Sequence, residues 1–344
     1  MMEKAMPGEM MNAVRIHRFG GPEVLVYEAV PRPRPGPGEV LVRVHAVGLN
    51  PPDWYLRDGY RSLPPAWRPA GGFPIIPGTD VSGVVAGLGQ GVGDVAIGDA
   101  VYALIRFPEG VFGGSNGYAE YVGVPAAHLA PAPAGIGHVQ AAAAPMSLLT
   151  AWQFLVDPGH DVPNPLQPAR HRPVPLDGRR VLINGAAGGV GHFALQIAKL
   201  KGAQVIAAAS ARHKALLHDL GADQVIDYRE TPPEDVVRDL DLVVDAVGGP
   251  ATGRFLKTLK PGGALFPIFP LGFDGAAEAA RQGVVVSTTQ VRSSGAQLRQ
   301  LAPLLSDGRI RPVIDGTWPL AEARRAHERA GAGHIQGKIV LTVD

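Results

Sequence analysis

A glycine-rich turn between a strand pattern and a helix pattern is the feature that most constrains this chain. Residues 181–191 read Val-Leu-Ile-Asn-Gly-Ala-Ala-Gly-Gly-Val-Gly, so an apolar run typical of a buried strand leads directly into glycines. Apolar side chains then recur at helical spacing, at Val190, Phe193, Ala194, Ile197 and Ala198. With the second apolar run at 205–209, this pattern predicts a βαβ unit whose glycines admit a dinucleotide pyrophosphate at a helix N-terminus. An ordinary tight strand-to-helix turn is the alternative interpretation.

The sequence after the second strand indicates which dinucleotide binds. An NAD site normally places an acidic residue at the end of that strand, about 20 residues after the glycines. Here no acid stands between Asp177 and Asp219, and the strand is followed by Ser210, Arg212 and Lys214. A hydroxyl and two cations suit the additional phosphate of NADP. Alternatively, Arg212 and Lys214 are solvated residues of the next helix.

Composition and charge exclude several other classes of function. The chain has 344 residues, no cysteine and a formal net charge of +1. A disulfide framework and a thiolate zinc site are therefore excluded, and nothing in the charge balance calls for nucleic acid or a membrane as partner. The N-terminal residues include Glu3, Lys4 and Glu9 and contain no apolar run, so we expect no signal peptide and a cytoplasmic location.

Apolar patterns and turn signals divide the chain into two regions. From residue 11 to about 147, short apolar runs such as 40–47 and 81–85 alternate with glycine and proline, which predicts a β-rich region. From about Leu148, strand patterns alternate with helix patterns, which predicts a parallel sheet. The proline-rich stretch 157–177 interrupts this order. We expect a surface insertion there, either without function or near the mouth of a cleft.

Several further blocks occur in one order along nearly the whole chain, at 48–59, 77–83, 117–121, 143–145, 150–152, 245–249 and 337–341. Together with the glycine turn, these blocks resemble the medium-chain dehydrogenase/reductase superfamily, and within it the zinc-independent quinone oxidoreductase group. The resemblance implies an α/β fold that joins a Rossmann-type doubly wound parallel sheet to a β-rich GroES-like catalytic domain. We expect a flexible N-terminus at 1–10, a catalytic domain of 11–147 and 291–344, and an NADP-binding domain of 148–290.

The resemblance also implies roles for individual residues. It identifies Asn50, Tyr55 and Tyr60 as the catalytic set, with a tyrosine hydroxyl orienting the acceptor oxygen or donating a proton. The residues that it implies for NADPH binding are Asn50, Thr150, Gly185, Ala187, Gly188, Gly189, Val190, Ser210, Arg212, Lys214, Tyr228, Val247 and Phe266. As alternatives, Asn50 braces a turn and Tyr55 is a packed core aromatic. Asp53 is expected to serve structure rather than chemistry.

The zinc dehydrogenases of this superfamily carry a cysteine near the position of Asn50 and a Gly-His-Glu block where this chain has residues 78–80, Gly-Thr-Asp. We therefore expect no metal. Without a metal to polarise an ordinary carbonyl, a conjugated acceptor is favoured, because hydride addition to it gives a delocalised anion.

The sequence therefore predicts an NADPH-dependent reductase of a small-molecule quinone or enone. An enoyl-thioester reductase and a non-catalytic NADPH-binding protein remain as alternatives. We also expect a homodimer formed through the late β-rich run 283–289, because such a run can lie at a sheet edge.

Overall fold

The computed structural model of the chain describes residues 9–65, 68, 72–164 and 170–343. The expected flexible N-terminus at 1–10 lies almost entirely outside these residues, as do five positions of the proline-rich stretch. The described strands form three sheets of two, six and seven strands.

The strands are β1 (Met10–Ile16), β2 (Leu25–Pro31), β3 (Glu39–Gly48), β4 (Asp80–Leu88), β5 (Ala100–Leu104), β6 (Tyr121–Pro125), β7 (Leu129–Pro131), β8 (Arg180–Asn184), β9 (Gln204–Ala209), β10 (Gln224–Asp227), β11 (Leu240–Asp245), β12 (Leu259–Pro267), β13 (Val285–Val286), β14 (Ile314–Pro319) and β15 (Lys338–Thr342). The α-helices are α1 (Pro51–Arg57), α2 (His138–Ala142), α3 (Pro145–Leu155), α4 (Gly189–Leu200), α5 (Lys214–Asp219), α6 (Pro233–Val236), α7 (Ala276–Arg281), α8 (Gly295–Ser306) and α9 (Ala323–Gly331).

The six-stranded sheet is parallel, in the order β10-β9-β8-β11-β12-β13. Apolar clusters cover both of its faces, one including residues of α3 and α4 and the other including Leu182, Ile206 and Phe255. The predicted parallel sheet and Rossmann-type fold are therefore confirmed. Strand order reverses at β8, so the carboxyl ends of β8 and β11 form the crevice in which such sheets bind ligands.

The seven-stranded sheet belongs to the GroES-like part of the fold, and it draws strands from both ends of the chain. Strands β3 to β7 pair antiparallel, and the late strand β15 pairs antiparallel with β3. Leu341 of β15 lies opposite Val47 of β3. The sheet is therefore completed by residues from far along the chain.

Helix α3 begins earlier than the change in sequence pattern near Leu148 suggests. Pro145 occupies its first turn, where a missing N–H is tolerated, and the whole helix is buried. The expected domain boundary at 147–148 thus falls inside a continuous helix.

The proline-rich stretch is attached to the core at His171, which is buried. The imidazole of His171 lies 2.7 Å from the hydroxyl of Ser287 and 2.8 Å from the carbonyl oxygen of Phe154. The described part of this insertion therefore packs against the parallel sheet as well as meeting solvent.

Candidate active site

The glycine turn lies between β8 and α4, as the sequence predicts. Gly185 adopts a left-handed conformation (φ +72°), and Gly188 is the N-cap of α4. A Cβ atom at Gly191 would overlap the carbonyl oxygen of Gly185, so the close crossing of turn and helix requires glycine there. The first N–H groups of α4, from Gly189 and Val190, have no partner within the helix and can bind an anion. The geometry fits a dinucleotide pyrophosphate.

The turn after β9 carries the residues expected to bind the 2′-phosphate. Ser210 is buried at the end of the strand, whereas Lys214 and Tyr228 are exposed. The guanidinium group of Arg212 donates to the carbonyl oxygen of His334, so it is directed toward the C-terminal region. The backbone N–H of Ala211 donates to the Asp227 carboxylate at 3.0 Å. Asp227 lies outside the acid-free segment between 177 and 219, yet the fold places its carboxylate at this turn.

The remaining residues expected to bind NADPH differ in how far their side chains are exposed. The Thr150 hydroxyl donates to the carbonyl oxygen of Met146 in its own helix at 2.7 Å. Val247 is exposed beside Gly185, whereas Ala187 is buried within the turn. Phe266 is fully buried and packs edge-on against His171, with ring centroids 4.7 Å apart. The structure thus assigns the Phe266 side chain to the core rather than to a surface that a cofactor can reach.

A buried polar cluster surrounds Asn50 at the start of α1. The Asn50 side-chain nitrogen donates to Asp80 Oδ2 at 2.8 Å and lies 3.1 Å from Thr79 Oγ1, and its oxygen accepts from the Lys338 ammonium. Asp53 accepts from the Asn50 backbone N–H at 2.8 Å, which completes a capping box. This geometry agrees with the structural role expected for Asp53. Both polar atoms of the Asn50 side chain are hydrogen-bonded within the protein.

Burial controls the charge states in this cluster. Burial raises the pKa of Asp53 to about 7, with the nearby Asp80 carboxylate adding to the effect. Burial raises the pKa of Asp80 to about 6, although the Lys338 ammonium opposes it. The pKa of Lys338 is lowered by the same burial, against the attraction of both carboxylates. The cluster is thus a compact set of mutually dependent charges.

A hydrogen-bonded chain extends from Asp53 to Arg57. The Tyr118 hydroxyl lies 3.4 Å from Asp53 Oδ2 and 3.0 Å from His327 Nε2, and Arg57 donates to His327 Nδ1 at 2.9 Å. Because a guanidinium group only donates, His327 carries its proton on Nε2 and donates to Tyr118. Burial, reinforced by Arg57, lowers the pKa of His327 to about 3, so this imidazole is neutral.

Four aromatic rings meet where α1 faces the parallel sheet. Tyr55 lies 6.0 Å from Tyr60 and 6.1 Å from Phe269, and Tyr60 lies 5.1 Å from Phe112, measured between ring centroids. Tyr60 has a left-handed backbone (φ +52°) and is buried, whereas Tyr55 is half-buried. Burial raises the pKa of the Tyr55 hydroxyl above its usual value, so this phenol stays protonated. Of the two tyrosines, Tyr55 has the more accessible side chain.

The residues at the positions of the zinc ligands do not fit a zinc ion. Asn50, Thr79 and Asp80 meet there, but the Lys338 ammonium contacts them, and a cation repels a metal ion. In the part of the chain that the structure describes, no three His, Asp or Glu side chains are grouped so that they could hold a metal.

Sequence reasoning missed Lys338, Tyr118, His327 and Phe269 as members of this region. One signal was available for Lys338, because it begins the otherwise apolar run 338–341, and a charge in such a strand needs a buried partner. No comparable local signal marks the other three residues.

Two family profiles match the chain. The alcohol dehydrogenase GroES-like domain matches residues 36–134, and the zinc-binding dehydrogenase family matches residues 220–341. In addition, none of the described helices has the length and apolar character needed to cross a membrane.

Proteins that are similar over most of the chain are quinone and NAD(P)H oxidoreductases. The chain is 32% identical to the chloroplast envelope quinone oxidoreductase homolog of Arabidopsis thaliana over 98% of this chain and 99% of that protein. It is 33% identical to the mitochondrial NAD(P)H oxidoreductase RTN4IP1 of Danio rerio, over 89% and 84% of the two chains. The solved quinone oxidoreductase from Coxiella burnetii superposes with a TM-score of 0.82 at 32% identity, covering 98% and 100%.

Proposed function

The chain belongs to the quinone oxidoreductase group of the medium-chain dehydrogenase/reductase superfamily, and we propose that it is a metal-free, NADPH-dependent reductase of a quinone or α,β-unsaturated carbonyl. That it is an oxidoreductase with a nicotinamide cofactor follows from its relatives. The choice of NADPH, the acceptor class and the independence from metal are the proposal. We also propose a cytoplasmic enzyme, although relatives with chloroplast and mitochondrial names exist.

One observation carries the proposal. A glycine turn that opens onto a helix N-terminus lies near a polar cluster in which the Lys338 ammonium supplies the positive charge. The residue before Lys338 links the two, because the Gly337 N–H donates to the carbonyl oxygen of Ala187 at 2.7 Å. A site of this kind suits a reaction that needs positioning more than Lewis-acid activation.

The cofactor supplies the hydride when it is bound. The N–H groups at the start of α4 bind its pyrophosphate, and Ser210 and Lys214 bind its 2′-phosphate, with Asp227 limiting the net positive charge there. Phosphate binding by a serine hydroxyl and a lysine favours NADPH over NADH.

We propose that the rings of Tyr55 and Phe269 bind the acceptor. Tyr55 and Phe269 offer ring faces to a flat conjugated molecule, which makes favourable stacked contacts with aromatic rings. A quinone takes up the hydride and one proton to give a hydroquinone. The Tyr55 hydroxyl, protonated because its pKa is raised by burial, can donate a hydrogen bond to the acceptor oxygen as negative charge develops there.

An assay of NADPH oxidation tests this function. Enzyme dialysed against a chelator, with its metal content measured, is offered separate quinones, enones and enoyl thioesters. We expect turnover of quinones or enones with no stoichiometric metal. Preferred turnover of enoyl thioesters would support the alternative substrate class. Tight NADPH binding without oxidation by any acceptor would indicate a non-catalytic binding protein, and loss of turnover with removal of a stoichiometric metal would contradict metal independence.

A further inference from the structure

Lys338 carries a fully buried ammonium group for which the proposed reaction has no direct use. Only 3% of the residue is exposed. Its Nζ atom donates to the carbonyl oxygen of Leu49 at 2.8 Å and to the side-chain oxygen of Asn50, and lies 3.8 Å from Asp80 Oδ2. Burying a charge costs several kcal/mol unless partners of this kind surround it. A chain that keeps this charge inside therefore uses it for a defined arrangement of its neighbours.

The ammonium determines how the Asn50 amide is oriented. Lysine can only donate, so the amide oxygen must face Nζ and the amide nitrogen must face Asp80 and Thr79. Asn50 is also the N-cap of α1, and its backbone makes the contacts with the helix: its carbonyl oxygen accepts from the Asp53 N–H at 3.0 Å and its N–H donates to the Asp53 carboxylate at 2.8 Å. Lys338 therefore holds the residue from which α1 starts.

The same segment touches the glycine turn. The Lys338 side-chain stem lies 3.4 Å from the position that a Cβ atom of Gly189 would take. The preceding residue, Gly337, donates its N–H to Ala187. Residues 337–338 thus contact the turn through the backbone and stem, and contact α1 through the ammonium. Residues 337–338 therefore link the cofactor turn to the start of α1, the helix that carries Tyr55.

We infer that Lys338 is a positioning residue, whose ammonium holds Asn50 and the start of α1 so that Tyr55 keeps a fixed place relative to the cofactor turn. A side chain thereby supplies the cation in the region where zinc dehydrogenases of the superfamily have their metal. The effect on turnover rests on the function proposed above. The effect on the order of α1 does not.

A charge-balanced pair of substitutions tests this inference. Lys338→Met alone leaves buried carboxylates without a cation and should lower the melting temperature strongly. Lys338→Met combined with Asp80→Asn removes both charges while keeping side-chain shape, and should recover most of that loss. The matched control makes the same changes at an exposed ion pair, Lys257→Met with Asp235→Asn, whose charged atoms lie 2.8 Å apart.

Three measurements on the full chain distinguish positioning from charge balance. In the folded double variant, we expect amide hydrogen exchange in α1 to be at least about tenfold faster than in Asp80→Asn alone, because residue 80 is the same in both and only the contact of Lys338 with Asn50 is lost. We expect kcat to fall by about tenfold or more, while the Kd for NADPH stays within about twofold, because the backbone contacts of the glycine turn remain. The control pair should change none of the three.

Normal α1 exchange and normal kcat in the folded double variant would overturn the inference and leave Lys338 as a partner for Asp80 only. A loss of NADPH affinity that parallels the loss of kcat would overturn it too, because the side chain would then support the turn. If no quinone, enone or enoyl thioester supports NADPH oxidation by the parent chain, the proposed function fails, whereas α1 exchange still tests Lys338.

A second pair of substitutions tests the inference if Lys338→Met with Asp80→Asn does not fold. Lys338→Gln with Asp80→Asn restores a neutral donor toward Asn50. Folding of the glutamine pair with α1 protected would support the inference, since the donor rather than the charge is what α1 requires. Failure of both pairs to fold would count against it.

Discussion

The ring of Tyr55 lies 6.1 Å from the ring of Phe269, with the two planes inclined by 30°. Tyr55 belongs to α1 and Phe269 follows β12, so the pair joins the GroES-like part of the fold to the parallel sheet. Under the function proposed above, a conjugated acceptor beside this pair would contact one ring from each part of the fold.

Replacing Tyr55 by phenylalanine separates the role of the hydroxyl from that of the ring. We expect kcat to fall by about tenfold or more, because one hydrogen bond to the developing oxyanion is lost, whereas the Kd for NADPH should change less than about twofold. Tyr121→Phe is the control, because it removes a phenol but keeps the ring that packs under Arg32. A parallel loss in NADPH affinity would instead indicate that Tyr55 supports the fold.

Cofactor selectivity should depend more on Lys214 than on Arg212. Lys214 is exposed beside Ser210, whereas Arg212 already donates to His334. We expect NADPH to bind about 1–3 kcal/mol more tightly than NADH, and Lys214→Ala to remove most of that difference. Titration of both cofactors against Lys214→Ala, Arg212→Ala and the double variant measures this. Equal affinities for the two cofactors in the parent chain would refute the assignment.

Substitutions at Gly191 and Gly188 should impair the protein in different ways, one through folding and the other through cofactor binding. A Cβ atom at Gly191 would overlap the backbone, so Gly191→Ala should destabilise the fold. Gly188 has extended backbone, and a Cβ atom there would lie 3.3 Å from the Gly185 carbonyl oxygen, a tight contact that a shift of a few tenths of an ångström relieves, so Gly188→Ala should fold. It should weaken NADPH binding by at least about tenfold, since the side chain enters the pyrophosphate position. Gly93→Ala, with open space around it, is the control.

Stability below neutral pH should depend on His327. Its pKa is lowered to about 3 by burial, so the unfolded chain binds a proton that the folded chain excludes. The stability from this group is present above the ordinary histidine pKa of about 6.5 and is lost as pH falls toward 3, by up to about 1.4 kcal/mol per pH unit.

Chemical denaturation of His327→Gln should therefore show a shallower loss of stability with falling pH than the parent chain. Glutamine keeps a donor toward Tyr118 without taking up a proton. His334→Asn, at an exposed left-handed position that asparagine tolerates, should leave the slope unchanged. Identical slopes for His327→Gln and the parent chain would refute the assignment.

The homodimer remains a prediction, and β13 is the element to test. It is the last strand in the order of the parallel sheet, and the Val285 side chain is 55% exposed. We expect light scattering at micromolar concentration to give the mass of a dimer, and Val285→Lys to shift it toward monomer, because a charge opposes pairing between edges. Val247→Lys, also at an exposed valine, is the control for added charge alone.

Local periodicity was sufficient to predict the centre of the parallel sheet. The apolar runs and helical spacing around residues 181–209 correspond to β8, α4 and β9, because each element is specified by its own side chains. The same stretch of sequence also predicted the glycine turn. The length of helix α3 and its start at Pro145 did not, because a helix buried on all sides has no polar face to create a pattern.

The interior of the candidate site depends on residues far apart in the chain. Asn50 meets a lysine 288 positions away, and Tyr118 meets a histidine 209 positions away. No spacing rule relates such residues. Asp53 was the exception, because its partner Asn50 stands three residues earlier in a capping arrangement that sequence does encode.

The pairing of β15 with β3 has a consequence for how the protein is made. During synthesis, strands β3 to β7 emerge early, and β3 can pair with β4 and β6, but its last residues, 46–48, lack their partner β15 until residues 338–342 leave the ribosome. Until then the end of β3 at residues 46–48 has one unpaired edge, and the Asn50 amide lacks the ammonium that orients it. The parallel sheet, encoded between these two segments, can therefore assemble first, and the polar cluster around Asn50 is completed only after nearly the whole chain has been translated.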